Sequence, residues 1–429
     1  MTTLNSTAAL TAALSESGND GIFTTLYGAE NIQAQKARYL RIAEAFKDLY
    51  GDADEAGFFS APGRTEVGGN HTDHNKGRVL AASVNLDAVA LAAKNGEDTV
   101  RVKSEGYRMD VVELSDLNPV AAETGRSASL VRGVCAEFRR RGYKVGGFNA
   151  ATASDVLSGS GVSSSAAFEV LVGTVINYLF NDGKVDAVEI AQIAQKAENE
   201  FFGKPCGLMD QTACSVGSFV EIDFKDPAKP VIEKVAFDFA ACGHSLCIVN
   251  TGGSHSDLTD EYAAVRKEME GAAAVMGAGV LRETDPAEMK KQIPAIREAC
   301  GDRAVLRALH FYADNERVLK EAAALRAGDF EAFKALVIES GYSSYMYNQN
   351  VYTCADPASQ PVSLGLALCH DLLQGKGAWR VHGGGFAGTI QAFVPNGLLD
   401  EFKALMQAVF GEKSCYVLSI RPVGGVKVL

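Results

Sequence analysis

The run Leu157-Ser158-Gly159-Ser160-Gly161-Val162-Ser163-Ser164-Ser165-Ala166-Ala167 constrains this chain more than any other segment. It lies between a strand-like stretch, Phe148 to Val156, and a long apolar helical stretch, Ala166 to Phe180. Its glycines let the backbone curl until several N–H groups point inward, and they admit a bulky anion closely. The helix that starts at once aims the positive end of its dipole at the same point. Three consecutive serines add hydroxyl donors and hard oxygen ligands. A flexible linker has a similar composition, but a linker does not sit between a buried strand and an apolar helix. The bend is therefore read as a phosphate site. It contains no lysine, so it is not the GxxxxGK[ST] loop.

A second polar cluster is Ala61-Pro62-Gly63-Arg64-Thr65-Glu66-Val67-Gly68-Gly69-Asn70-His71-Thr72-Asp73-His74-Asn75. An arginine, carboxylates, histidines and amides surround a diglycine, which suits a polyhydroxylated ligand whose every hydroxyl needs a placed partner. His71 and His74 are spaced like metal ligands, but no third ligand or HExxH glutamate accompanies them. A third stretch, Val381-His382-Gly383-Gly384-Gly385-Phe386-Ala387-Gly388-Thr389-Ile390, gains its meaning from the other two.

A chain of 429 residues suits two packed domains. Its 41 basic and 53 acidic side chains leave a net charge of −12, which disfavours nucleic acid and anionic membrane surfaces as partners. The most apolar stretch, Val79 to Ala93, is interrupted by Asn85 and Asp87 and is shorter than the ~20 residues a bilayer requires. The residues after Met1 carry no basic secretory n-region, and nine scattered cysteines form neither a CxxC pair nor a Cys/His cluster. A reducing cytoplasm is expected.

Residues 1–25 read as a helical or loose extension. Hydrophobic spacing predicts helices over Asn31–Leu49, Leu130–Arg141, Val188–Phe202, Tyr262–Val275 and Asn315–Ala335. Phe58 to Arg64 reads as a short strand running into a turn, with further strands at Val79–Ala92, Thr99–Ser104 and Ser245–Asn250. A strand-rich finish is expected over Ala378–Val394 and Ser414–Arg421. The charged turn Asp226-Pro227-Ala228-Lys229-Pro230 is the expected boundary, giving domains 26–228 and 229–429. Strands and helices mix without strict βαβ alternation, so the fold class is α+β.

Ala61-Pro62-Gly63-Arg64 with His71-Thr72-Asp73, then Gly161-Val162-Ser163-Ser164-Ser165-Ala166, then Gly383-Gly384-Gly385-Phe386, follow the order and spacing of the GHMP kinase superfamily. More narrowly, the chain from about Phe58 onward resembles the galactokinases. Ala197-Glu198-Asn199-Glu200-Phe201 with Gly203, and Cys206-Gly207-Leu208-Met209-Asp210-Gln211, agree as well. The resemblance implies a two-domain GHMP kinase fold, mixed sheets flanked by helices, with the active site in the interdomain cleft. It implies ATP and Mg²⁺ as cofactors, and transfer of phosphate to the anomeric hydroxyl of galactose. A monomer or weak homodimer is expected.

By the same resemblance, Gly159, Ser160, Gly161, Val162, Ser163, Ser164 and Ser165 cradle the ATP phosphates, and Ser165 and Glu198 hold Mg²⁺. Asp210 matches the catalytic aspartate and Arg64 the arginine facing it. Asn70, His71, Thr72, Asp73, Asp210 and Tyr262 fall on sugar-binding positions. The chain departs from the family at one telling place. Galactokinases normally read Val-Asn-Leu-Ile-Gly-Glu-His-Thr-Asp-Tyr-Asn after the arginine, whereas this chain has Asn70 where they have glutamate, at a position expected to meet the sugar's 6-hydroxyl. An asparagine carries no charge and tolerates a C6 carboxylate. Galacturonate, N-acetylgalactosamine and arabinose are therefore alternative substrates. A silent galactose sensor is a further alternative, against which stand the intact Ser165-Ala166-Ala167, Asp210 and Arg64. His71-Thr72-Asp73 argues against a mevalonate or homoserine kinase.

Overall fold

A computed structural model describes residues 4–156, 161–253, 258–386 and 388–429. Two long strands, Ala56–Gly68 (β1) and Arg78–Lys94 (β2), organise the larger sheet and lie antiparallel. Both are built mainly from small and branched apolar residues and are buried almost throughout, so they read as apolar runs rather than alternating ones. The expected short strand ending at Arg64 in fact continues to Gly68. Register shifts between Pro62 and Arg64, and between Glu66 and Gly68, absorb the proline and re-aim Arg64.

The remaining strands are Thr99–Ser104 (β3), Met109–Glu113 (β4), Phe148–Ser154 (β5), Phe219–Asp223 (β6), Val231–Val235 (β7), His244–Asn250 (β8), Ala378–Val381 (β9), Thr389–Pro395 (β10), Cys415–Leu418 (β11) and Val426–Lys427 (β12). The larger sheet runs β12-β1-β2-β5-β3-β4, with β6 also paired to β2 and β7 to β6. Among the described residues, only β3 and β5 run parallel in it. The smaller sheet, β11-β8-β10-β9, is antiparallel. Two segments from beyond residue 228, β7 and β12, thus belong to the larger sheet.

The helices are Thr7–Leu14 (α1), Asp20–Tyr27 (α2), Ile32–Tyr50 (α3), Ser127–Arg140 (α4), Ser164–Phe180 (α5), Ala187–Lys196 (α6), Met209–Val216 (α7), Thr259–Val275 (α8), Pro286–Lys291 (α9), Ile293–Cys300 (α10), Asp302–Arg326 (α11), Phe330–Ser343 (α12), Pro361–Leu373 (α13) and Leu399–Phe410 (α14). Among the described residues, none is long and apolar enough to cross a membrane. The helix expected over Asn315–Ala335 is two helices. Gly328, at φ 71°, ends α11, and the Asp329 side chain caps α12 by accepting from Ala332 N. The helix expected over Val188–Phe202 changes character at Ala197, where a π-turn (Ala197–Phe202) takes over.

The first helices are firmly attached. Leu10, Leu14, Phe23, Leu26, Tyr39, Ile42 and Phe46 pack with Phe58 and Leu91 in a core of their own. Behind it Asp87, wholly buried, bonds Arg38 Nη1 at 2.7 Å, Arg421 Nη1 at 3.0 Å and the Tyr27 hydroxyl at 2.6 Å. Burial pushes the Asp87 carboxyl up, but the two guanidiniums outweigh it and hold it below the usual range. Arg38 also reaches Asp155 Oδ2 at 3.0 Å, at the threshold of the serine-glycine bend.

Candidate active site

Arg64 and Asp210, 146 residues apart, meet as a two-pronged pair: Nε to Oδ1 is 2.6 Å and Nη2 to Oδ2 is 2.7 Å. The bulge in β1 presents the arginine, and the first turn of α7 presents the aspartate. Arg64 spends its remaining prong on the Gly161 carbonyl at 2.6 Å, and the Ser163 hydroxyl donates to Asp210 Oδ2. One guanidinium thereby ties the carboxylate to the serine-glycine bend. Burial pushes Asp210 up, yet Arg64 and the Ser163 bond outweigh it and leave the carboxyl below its usual range. It is an ionised acceptor.

Gly159 and Ser160 lie outside the described residues. In the rest of the bend, Gly161 has φ 75° and Ser163 φ 57°, a conformation L side chains seldom adopt away from functional turns. A Cβ on Gly161 would stand 2.9 Å from Thr389 Oγ1 and 3.2 Å from His382 Nδ1. The third glycine stretch therefore backs directly onto the bend. Val162 is buried in the core, and its carbonyl accepts from Arg64 N at 3.0 Å. α5 starts at Ser164, so its free N–H groups face the same space.

Ser165 Oγ donates to Glu198 Oε1 at 3.0 Å. Glu198 sits in the π-turn with its side chain 2% exposed, and Gln211 Nε2 holds its other oxygen at 2.7 Å. Lys204 Nζ approaches Oε1 at 3.1 Å. A buried carboxylate oxygen beside a hydroxyl, with an ammonium drawn to it, presents hard oxygen of the kind that could hold a cation.

The sugar-signature residues divide. Asn70 and Thr72 are wholly buried. Asn70 Nδ2 donates to Glu66 Oε1 at 2.9 Å and to the Gly383 carbonyl at 2.7 Å, while its Oδ1 accepts from Ser344 Oγ at 3.0 Å and Asn350 Nδ2 at 2.9 Å. That satisfies all four bonds an amide can make. Thr72 Oγ1 donates within its own turn, to the Gly69 and Arg78 carbonyls at 2.8 and 2.6 Å.

His71 and Asp73, by contrast, are only partly covered. His71 Nε2 donates to the Gly384 carbonyl at 2.9 Å, and burial lowers the ring to about 4, so it is neutral. A nitrogen engaged as donor is not a metal ligand. Burial raises the Asp73 carboxyl, and the nearby charge of Asp210 raises it further. Tyr262 donates to the Gly385 carbonyl at 2.8 Å and lies over Gly384, where a Cβ would stand 2.6 Å from its ring.

Sequence reasoning missed the cavity next to the bend. It has a volume of about 910 Å³ and reaches Ser164 and Ser165 at one end. Tyr107, Met109, Leu130, Phe168 and Phe202 supply apolar wall, and Arg108 and Arg126 supply charge. The size is that of a cofactor pocket. Its walls come from the β3–β4 hairpin, α4, β5, α5 and the π-turn, so no contiguous motif announces it. The one local signal is Tyr107-Arg108-Met109, with Tyr107 exposed at a hairpin tip.

Comparison with known proteins agrees with this geometry. Residues 44–94 match the family model described as the galactokinase galactose-binding signature, and residues 129–218 the GHMP kinases N terminal domain. A galactokinase of Streptomyces coelicolor is 32% identical over 398 residues, covering 90% of this chain and 98% of that protein. One from Actinobacillus pleuropneumoniae is 30% identical, covering 85% and 91%. The crystal structure of Lactococcus lactis galactokinase complexed with galactose superposes with a TM-score of 0.74 at 26% identity, covering 90% of this chain and 98% of that one. Methanococcus jannaschii mevalonate kinase shares the fold at a TM-score of 0.60 and 13% identity, covering 85% and 98%. With a relative of this identity matched over nearly its whole length, and with Arg64 bonded to both Asp210 and Gly161, this chain is a sugar kinase that belongs to the galactokinase family.

Proposed function

We propose that this chain transfers the γ-phosphoryl group of ATP to the anomeric hydroxyl of galactose, giving galactose 1-phosphate and ADP. The observation that carries the reading is the Arg64–Asp210 pair bonded to the Gly161 carbonyl, which joins an ionised acid to the serine-glycine bend. Asp210 accepts the hydroxyl proton, or a hydrogen bond from it, as the sugar oxygen attacks phosphorus. Arg64 orients Asp210 and offsets charge on the moving phosphoryl group. The N–H groups of the bend and of the α5 N-terminus hold the phosphates, and the 910 Å³ cavity takes the nucleoside.

Ser165 and Glu198 fit a magnesium ion: both offer hard oxygen, and Glu198 is buried with one oxygen turned to Ser165. Mg²⁺ prefers one or two protein oxygens, with phosphates and water completing its shell, and when bound it neutralises phosphate charge. His71, Asp73 and Tyr262 line the sugar side. Asn70 and Thr72 shape the turn from behind, so exchange of the family's glutamate for Asn70 leaves galactose the favoured substrate. We place the two domains at 26–228 and 229–429, with β7 and β12 crossing back, and residues 1–25 as an extension whose described part, from residue 4, adds a helical layer. The free state of all nine cysteines suits the cytoplasm.

The test is ADP release with galactose, galacturonate, N-acetylgalactosamine and arabinose as acceptors. Galactose is expected to be fastest, and Asp210→Asn to lower kcat by about 10³-fold. A higher rate with another sugar, or near-normal turnover by Asp210→Asn, overturns the reading.

A further inference from the structure

We propose that Lys204 is a further catalytic residue, a phosphate-binding cation that the serine-glycine bend itself lacks. Its root is fixed. Lys204 N and Gly203 N both donate to the Glu198 carbonyl, at 3.2 and 3.1 Å, closing the π-turn. Pro205 follows, and Cys206 N is held by Asn199 Oδ1 at 2.7 Å. Its head is not fixed. The Lys204 side chain is 61% exposed, and the bond that holds its ammonium goes to Glu198 Oε1 at 3.1 Å. That oxygen is also bonded to Ser165 Oγ at 3.0 Å, so the ammonium stands two hydrogen-bond lengths from the first turn of α5.

Glu198 is the rigid partner of this pair, with a side chain 2% exposed and Gln211 on its second oxygen. Glu198 Oε1 and Ser165 Oγ would hold a divalent cation there, and the exposed Lys204, not the buried Glu198, would be the partner that moves aside. The released ammonium remains tethered beside the phosphate seat. There it meets a strong need. Glu198, Asp210 and the buried Glu169 all bring negative charge or acid groups to this corner, while Arg64 is committed to Asp210 and Gly161. A polyphosphate and a transferring phosphoryl group need positive charge beyond one metal ion, and lysine serves as a mobile point charge for them.

The inference rests on the kinase reading, and its test separates the two. Lys204→Met and Lys204→Arg are compared with wild type for ADP affinity with Mg²⁺ by calorimetry, and for kcat, KM for sugar and half-saturating Mg²⁺. The expected result for Lys204→Met is about tenfold weaker ADP binding, a kcat lowered about 100-fold, an unchanged KM for sugar and a lower half-saturating Mg²⁺. Lys204→Arg is expected to recover most of the loss. If Lys204→Met lowers half-saturating Mg²⁺ but leaves ADP affinity and kcat unaltered, the lysine serves only Glu198 and the proposal is overturned. Equal behaviour of all three proteins also overturns it. Wild type that fails to bind ADP with Mg²⁺ overturns the kinase reading as well.

Discussion

Asn70 Nδ2 donates to Glu66 Oε1 at 2.9 Å, and the same oxygen accepts from Arg380 Nη2 at 2.9 Å. In the usual galactokinase run the amide stands first and the acid second. Here Glu66 and Asn70 hold them in the reverse order, and the two side chains bond each other. Asn70→Asp is expected to set two carboxylates against each other and leave the Gly383 carbonyl without its donor. Loss of about 1–3 kcal/mol of stability and a fall in kcat/KM for sugar should follow. The double variant Glu66→Gln, Asn70→Asp returns a donor to the pair and should recover much of both. Thermal melts and initial rates at neutral pH check this; a double variant no better than the single one refutes it.

Arg64 controls the charge of Asp210. In wild type its guanidinium holds the carboxyl below the usual range, so the ionised form persists as pH falls. With Arg64→Gln, only the Ser163 bond and the Lys204 charge are left against burial, and the carboxyl rises. Activity that needs the anion is then lost as pH falls through that higher value. The kcat of wild type should be flat from pH 8 to about 5, whereas that of the variant declines below neutrality. A flat profile in both speaks against the pairing.

Glu321 is wholly buried over Gly68, and neither of its oxygens has a hydrogen-bond partner among the described residues. Burial raises its carboxyl well above the usual range, and nearby Asp314 adds to this, against Arg380 and Arg317. The folded state therefore holds a proton that the unfolded chain gives up near pH 4.5. Stability falls as pH rises from there toward the folded value. Glu321→Gln should match wild type in Tm near pH 4 and exceed it increasingly toward pH 8. A Cβ at position 68 would overlap the Glu321 carboxylate, so Gly68→Ala should destabilise strongly, and less so in a Glu321→Ala background.

Arg38 links the helical layer to the bend through Asp87 and Asp155. Arg38→Met removes one of the two guanidiniums that keep the buried Asp87 ionised, at a cost of about 3–5 kcal/mol. It also frees Asp155, so KM for ATP should rise while KM for sugar holds. Thermal melts and steady-state kinetics with each substrate varied decide this.

What the sequence made legible was local. The bend, the sugar signature and the third glycine stretch are contiguous, and each announces its backbone geometry through glycine and small polar residues. The Arg64–Asp210 pair spans 146 residues, and only the family likeness joined its members. The partners that enclose Asn70 come from β1, from α11, from Ser344 and Asn350 beyond α12, and from the Gly383 turn, so nothing next to Asn70 in the chain foretold its burial. The π-turn at Glu198 reads as plain helix in the sequence because its apolar spacing differs from α by less than one residue. The nucleotide-sized cavity has no contiguous signature, because each of its walls taken alone reads as ordinary core or loop.

β12 closes the outer edge of β1, and Arg421 Nη1 reaches Ser60 at 2.7 Å across 361 residues. On the ribosome, the Phe59–Ser60 part of β1 therefore waits for nearly all of the described chain before its edge is covered. Until then it offers an unpaired, apolar template to other nascent chains. Slow, late-stage assembly and a need for chaperone shelter follow, and trimming the last few residues should reduce yield far more than it reduces the specific activity of whatever folds.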